Sequence, residues 1–166
     1  MPSRDAQFAA FDSPIGRFWL SASAEGLVLI SRSETPERLL SGLAARRLVA
    51  LPDDVALAPA LEWMRRYFDG LRPGPPPLDL SAVSTFDAAV YGAAMAIPYG
   101  ATAAYGDVAA AAGSPRAARA AGGAMARCAL FPVVPCHRVM HADGSIGGWG
   151  PDLWVKRWLL AHERRA

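Results

Sequence analysis

Residues 132–140 read PVVPCHRVM, which sets a thiol, an imidazole and a guanidinium in a row at Cys136, His137 and Arg138, behind Pro135 and inside an apolar stretch. An unperturbed thiol, with a pKa of about 8.5, is only a few per cent thiolate at neutral pH, so a nucleophilic cysteine needs a base or cationic surroundings. His137 is the nearest candidate base. The preceding run CALFPVV reads as a buried extended segment, in which neighbouring side chains point to opposite faces. Contact between Cys136 and His137 therefore requires a bridging water or a kinked backbone, and Pro135 makes a bend available. A carboxylate would orient the imidazole and stabilise its charged form. Glu163 is the best placed, near the end of the apolar-faced final helix DLWVKRWLLAHE. The competing reading is a buried, inert cysteine beside a structural histidine, a common fate for such residues. Cys128, Cys136, His137 and His141 could between them offer four metal ligands, but there is no C-x-x-C pair and the spacing fits no usual zinc pattern, so neither a metal nor a cofactor is expected.

A second cluster of chemistry lies upstream. Between Asp107 and Asp143 there is no acidic residue, while Arg116, Arg119, Arg127 and Arg138 fall inside that window, a stretch on which a polyanion could dock. Asp107–Ala112 reads as a short helix closed by Gly113. Ser114 is a natural N-cap and Pro115 a favoured first helical residue, so a second helix is expected from there to about Arg127. Two helices about a tight glycine turn outline a helix-turn-helix. The segment RAAGGAMA from Arg119 carries small residues where a surface helix usually carries long ones, and Gly122 and Gly123 each cost about 1 kcal/mol relative to alanine. Something must approach this helix closely, either a neighbouring helix or a ligand.

The elements that position these groups follow from punctuation and periodicity. QFAAFDSPIGRFWLSASAEGLVLISR is broken at Ser13-Pro14 with Gly16 and at Glu25-Gly26, the pattern of an antiparallel meander. PERLLSGLAARRL and ALAPALEWMRRYFDGL have helical apolar spacing. RPGPPPLDL is a Pro-rich connector, placing a boundary near residues 72–84. Phe86–Ile97 forms a helix stopped by Pro98 and Gly100. The fold class expected is α+β: a small N-terminal antiparallel sheet with helices over 1–80, then a mostly helical C-terminal domain with a helix-turn-helix over 84–166. At 166 residues, 52% hydrophobic and 19% charged, the chain is globular rather than disordered. MPSRDAQF lacks the apolar core of a signal peptide, and no apolar run reaches the roughly 20 residues of a membrane span. Two cysteines are too few for a disulfide framework, so a reducing, cytoplasmic setting with free thiols and no membrane partner is expected. No heptad repeat is evident, and a monomer is expected.

IPYGATAAYGDVAAAAGSPRAARAAGGAM, then PVVPCHRVMHADGSIGGWG and KRWLLAHE, closely resemble the C-terminal domain of the O6-alkylguanine-DNA alkyltransferases, also called methylated-DNA-protein-cysteine methyltransferases. The match spans about residues 86–163, and SPIGRFWLSASAEGLVLI is similar, more weakly, to the family's first strands. The resemblance implies a DNA repair protein that takes an alkyl group from O6-alkylguanine, or from O4-alkylthymine, in double-stranded DNA onto its own cysteine and is consumed. Cys136 would be the acceptor, His137 its base through a water, and Glu163 the carboxylate that holds His137. Tyr105 would donate to guanine N3. Arg119 matches the family's intercalating finger, which fills the gap left by a flipped nucleotide. Ala120 to Ala124, with Gly122 and Gly123, would let the helix backbone near the walls of the minor groove, and Arg116, Arg127 and Arg138 would add positive charge. The carbonyls of Cys136 and Val139 would receive the amino group of the base, the N–H of Gly150 would face O6, and Pro135 and Trp149 would complete the pocket.

Departures from the family pattern are local. Cys128-Ala129 stands where the family has Asn-Pro, and a thiol poorly replaces an amide with two donors and an acceptor. Trp149 stands for a usual Tyr, Tyr91 for a usual Trp and Ala104 for a usual Ser. The alternatives are a lesion-binding relative that does not repair, a helix-turn-helix regulator and a Cys-His-Glu hydrolase.

Overall fold

The chain reverses at Ser13–Gly16 and again at Ser23–Gly26, in a computed structural model that describes residues 5–165. Strands β1 (Asp5–Ser13), β2 (Gly16–Ser23) and β3 (Gly26–Arg32) form the expected meander, with Phe11 opposite Phe18 and Leu20 opposite Ile30. Phe18 and Leu20, two residues apart on β2, are fully buried on one face of the sheet. Helices α1 (Glu37–Ala45) and α2 (Ala58–Phe68) cover the sheet. Leu39, Leu43 and Met64 complete the apolar core, and Phe68 meets Phe11 and Phe18 with ring centroids 5.9 Å away in each case.

A fourth strand, β4 (Val49–Pro52), pairs parallel with β1 and gives the sheet the order β3-β2-β1-β4. It was not expected from the sequence, because Val49 and Leu51 are both 62% exposed and leave no alternation of buried and polar residues to read. At the opposite edge the Pro-rich connector runs along β3. Leu27 donates to the Pro77 carbonyl at 2.9 Å and accepts from Asp79 N at 2.8 Å. Gly26 has φ +144°, and a β-carbon there would collide with the Pro77 carbonyl, so this approach requires glycine. The connector thereby covers an edge that would otherwise offer unpaired backbone groups.

Two units result, Met1–Ala82 and Val83–Ala166. In the second, α3 (Thr85–Met95) starts where the Ser84 hydroxyl accepts from Asp87 N at 3.1 Å and stops before Pro98. β5 (Ala103–Ala104) leads into α4 (Tyr105–Ala111), and Gly113, at φ +86°, turns the chain toward α5 (Ala118–Arg127). This helix begins three residues later than Pro115. Ala117 N donates to the Ser114 carbonyl at 2.9 Å, so Ser114-Pro115 forms a turn instead of a cap, a second role for which proline at the second turn position is equally suited.

The segment after α5 is buried as expected at Leu130, Val133 and Val134, but it is not extended. Pro132 and Pro135 cannot donate to a sheet ladder, and the chain instead turns back, with Val134 N donating to the Leu130 carbonyl at 2.9 Å. Cys136–Arg138 then make one turn of 3-10 helix before β6 (Val139–Met140) pairs parallel with β5. A loop and a second 3-10 turn, Gly150–Asp152, lead to α6 (Leu153–Arg165). The architecture is the α+β one expected: a largely antiparallel N-terminal sheet with helices, followed by a mostly helical part.

Candidate active site

The 3-10 turn settles how Cys136, His137 and Arg138 share their work. With three residues per turn, successive side chains fan out about the axis rather than alternating between two faces. The turn is held by Arg138 N donating to the Pro135 carbonyl at 2.9 Å, and Cys136 N donates to the Val134 carbonyl at 2.8 Å. His137 and Arg138 both reach α6, where Glu163 is buried. His137 Nε2 lies 2.7 Å from Glu163 Oε1, and Arg138 closes a bidentate pair, Nε to Oε2 at 2.8 Å and Nη2 to Oε1 at 2.9 Å. Gly100 N donates to Oε2 at 3.1 Å, and Arg138 Nη1 donates to the Ile97 carbonyl at 2.8 Å.

These contacts decide protonation. Burial alone would raise the Glu163 carboxyl, but the hydrogen bonds from His137 and Arg138 outweigh it and hold the group well below the usual carboxylate range. Burial lowers the pKa of His137 despite Glu163, because Arg138 already neutralises the carboxylate and Lys156 adds a further cation. The imidazole is therefore neutral at pH 7. With Glu163 ionised and accepting, the ring proton sits on Nε2, which makes Nδ1 the basic nitrogen.

The Cys136 thiol is 4% exposed. The neighbouring Cys128 and burial push it well above the ordinary thiol range, with the Lys156 ammonium opposing. The Cys128 thiol is lowered, chiefly by its neighbour Cys136 and against the effect of burial. Tyr105, at the start of α4, is raised by burial and then by its nearness to Cys136, so its hydroxyl stays a donor at neutral pH. Its ring meets His141 at 5.5 Å. Lys156 is fully buried and donates from Nζ to the Val139 carbonyl at 2.7 Å. Sequence reading missed this lysine, although Lys156 and Glu163 lie seven residues apart, on the same face of α6 as Val155, Leu159 and Leu160. Charges recurring on an apolar helix face were the available signal.

The remaining expected site residues divide. Pro135 and Val139 are buried beside the thiol turn. The Cys136 carbonyl accepts from Val139 N and the Val139 carbonyl from Lys156, which leaves each oxygen one further lone pair. Gly147, Gly148, Trp149 and Gly150 all have positive φ, and the Trp149 ring stands edge-on to Phe131 at 5.2 Å. Arg116, Arg119 and Ala120 are exposed, with Ala121, Ala124 and Met125 of α5 turned inward. A β-carbon at Gly122 would meet only the Tyr105 ring, at 3.8 Å, and one at Gly123 would meet the flexible Arg127 guanidinium, at 3.1 Å. Helix packing therefore does not require either glycine. Arg127 is exposed but tied to Asp87, with Nη2 to Oδ1 at 2.9 Å and Nε to Oδ2 at 3.0 Å.

Arg138 corrects the sequence reading. It was expected to face DNA, but it is 9% exposed and its guanidinium is committed to Glu163 and Ile97, so it braces the site from inside and has no phosphate to meet. Among the described residues, no three His, Cys, Asp or Glu side chains gather as a metal ion would need, and no helix is long and apolar enough to cross a membrane.

Residues 85–165 match the family profile described as "6-O-methylguanine DNA methyltransferase, DNA binding domain". A methylated-DNA-protein-cysteine methyltransferase of Mycolicibacterium paratuberculosis is 37% identical, over 96% of this chain and 93% of that one. A DNA base-flipping protein of Thermus thermophilus is 35% identical, over 91% of this chain and 95% of its own length. The crystal structure of Mycobacterium tuberculosis OGT in complex with DNA superposes with a TM-score of 0.80 at 33% identity, covering 97% of this chain and 93% of that one.

Proposed function

The chain belongs to the methylated-DNA-protein-cysteine methyltransferase family, and on that premise we propose that it repairs O6-alkylguanine in double-stranded DNA by taking the alkyl group onto Cys136. The observation that carries this reading is the 2.7 Å contact of His137 with Glu163, on the same short turn as the thiol. Nδ1 of the neutral imidazole takes the Cys136 proton through a water. The thiolate attacks the alkyl carbon in line with its bond to O6; a carbon–sulfur bond forms as the carbon–oxygen bond breaks, and the released guanine takes up the proton on its ring. Tyr105 donates to guanine N3 and Gly150 N–H to O6, favouring the charge that develops on the leaving base. The carbonyls of Cys136 and Val139, through their remaining lone pairs, accept from the amino group of the base, and Trp149 and Pro135 bound the alkyl pocket.

The thiol is too enclosed to meet a base stacked in a duplex, so the nucleotide must be flipped out, and Arg119 fills the space it leaves. Arg116 and Arg127 attract the phosphates, while Ala120, Gly122 and Gly123 keep the α5 surface low enough to enter the minor groove. The protein works as a monomer in the compartment that holds the DNA, without a cofactor. Because the thioether product has no route back to a thiol, each chain acts once.

Titrating an O6-methylguanine duplex with protein and counting restored guanine tests this. A plateau at one guanine per chain is expected; continued turnover favours a hydrolase. The enclosed thiol, held protonated by Cys128, favours a second reading, lesion binding without transfer. Tight duplex binding with no guanine restored would establish that reading instead.

A further inference from the structure

His141 has no part in the transfer described above, and among the described residues no cluster of ligands surrounds it to hold a metal. Register makes it the neighbour of Tyr105. β5 and β6 run parallel with Ala103 opposite Val139 and Ala104 opposite Met140, so each strand is followed at once by a ring, Tyr105 after one and His141 after the other. The ring centroids lie 5.5 Å apart at an interplanar angle of 55°. The backbone of His141 is fixed on both sides: its N–H donates to the Ser145 carbonyl at 3.1 Å, and its carbonyl accepts from Gly144 N at 2.9 Å. Its side chain is held too. A β-carbon at Gly147 would overlap His141 Nε2, so the imidazole rests against the Gly147 backbone as well as the Tyr105 ring. Tyr105 needs such support. Its hydroxyl has no hydrogen bond among the described residues. Two of its flanks are glycines: a β-carbon at Gly122 would stand 3.8 Å from the ring, and one at Gly148 would stand 3.9 Å from the hydroxyl. With no hydrogen bond to aim it, the hydroxyl takes its direction from the packing of the ring, and His141 is the aromatic partner in that packing.

We propose, resting on the repair reading above, that His141 is a positioning residue that aims the Tyr105 hydroxyl at N3 of the flipped guanine. The imidazole itself touches neither the base nor the alkyl group. It steadies the phenol ring beside Gly122 and Gly148, so that the O–H already points where charge develops as the base leaves. Loss of a ring pair of this kind corresponds to a rate factor of about 2 to 10. The His141 side chain is exposed, so removing it uncovers little and the fold is retained.

The test is a double-mutant cycle on the full chain, with single-turnover transfer from an O6-methylguanine duplex measured at saturating protein. His141→Ala is expected to slow transfer by about 2- to 10-fold, with its thermal midpoint unchanged. In Tyr105→Phe, already slowed by loss of the hydroxyl, adding His141→Ala is expected to change nothing further. Affinity for the same duplex, measured in a Cys136→Ala background, is expected to be equal with and without the imidazole. Equal slowing by His141→Ala whether or not the Tyr105 hydroxyl is present would overturn the proposal, as would a loss of affinity with the saturated rate kept. Tyr105→Phe at the wild-type rate would overturn it too. Proton contacts between Gly122 and the Tyr105 ring, read by NMR, are independent of the chemistry: they are expected in the wild type and weaker in His141→Ala. Should the wild type transfer nothing, the repair reading fails, and positioning by His141 is upheld if these contacts weaken and overturned if they do not.

Discussion

In the N-terminal unit the enclosed side chains include Phe18, Leu20, Leu39, Leu43 and Met64, and the buried Ser21 hydroxyl simply donates to the Leu29 carbonyl. Around the thiol turn of the second unit the enclosed side chains include His137, Lys156 and Glu163, with Arg138 almost as deep. Apart from a register shift at Ser21–Ala22 the sheet ladder is continuous and its burial mainly apolar, so its parts contribute separately, each in proportion to the surface it removes from water. The site is built from two-residue strands and a single 3-10 turn that could not hold themselves; buried charges hold them, and each charge is tolerable only while its partner is present. One region is therefore graded in its response to change and the other interdependent.

Removing Glu163 tests the interdependent region hardest. Glu163→Ala strands His137 and Arg138, and a loss of about 3–5 kcal/mol in urea denaturation is expected, together with loss of methyl transfer in whatever remains folded. A variant that keeps both stability and rate would erase the contrast. Leu20→Ala probes the graded region: about 2–5 kcal/mol of stability is lost, while transfer per folded molecule stays at the wild-type rate.

Acid separates the regions further. The native pKa of His137 lies below its unfolded value, so below about pH 6.5 the unfolded chain binds a proton that the folded chain refuses. Glu163 is also lowered, and its contribution, present above the unfolded carboxylate pKa, is lost as pH falls through the native one. Stability is expected to fall first with His137 below neutrality, then with Glu163 in stronger acid; in His137→Asn the first part of that slope disappears. Stability measured by denaturant from about pH 8 down to about pH 2 reads both. The smallest effect is at Gly122, where alanine fits sterically. Gly122→Ala is expected to stabilise the chain by about 0.5–1 kcal/mol yet slow repair of duplex DNA more than reaction with free O6-methylguanine. Equal rates on the two substrates would mean that α5 does not lie against DNA.

How much was legible in the sequence follows the same division. The meander could be read because Ser13-Pro14, Gly16 and Gly26 mark its turns and Phe18 and Leu20 alternate with half-buried residues. The pairing of His137 with Glu163 could be read from residue type, since an imidazole near a thiol calls for a carboxylate and the last helix offered one. Arg138 could not. A charged residue suggests the surface, and its burial depends on Glu163 and the Ile97 carbonyl, 25 and 41 residues away. β4 left no trace since its side chains stay in solvent, and the start of α5 was misplaced because Ser-Pro serves turns as well as helix caps.

The central claim is that the sulfur of Cys136 receives the alkyl group, and intact mass after incubation with an O6-methylguanine duplex tests it most directly. The reduced chain is expected to gain one methyl in place of one hydrogen, mapped to Cys136 and absent from Cys136→Ala. An unchanged mass, or a methyl on Cys128, would contradict it.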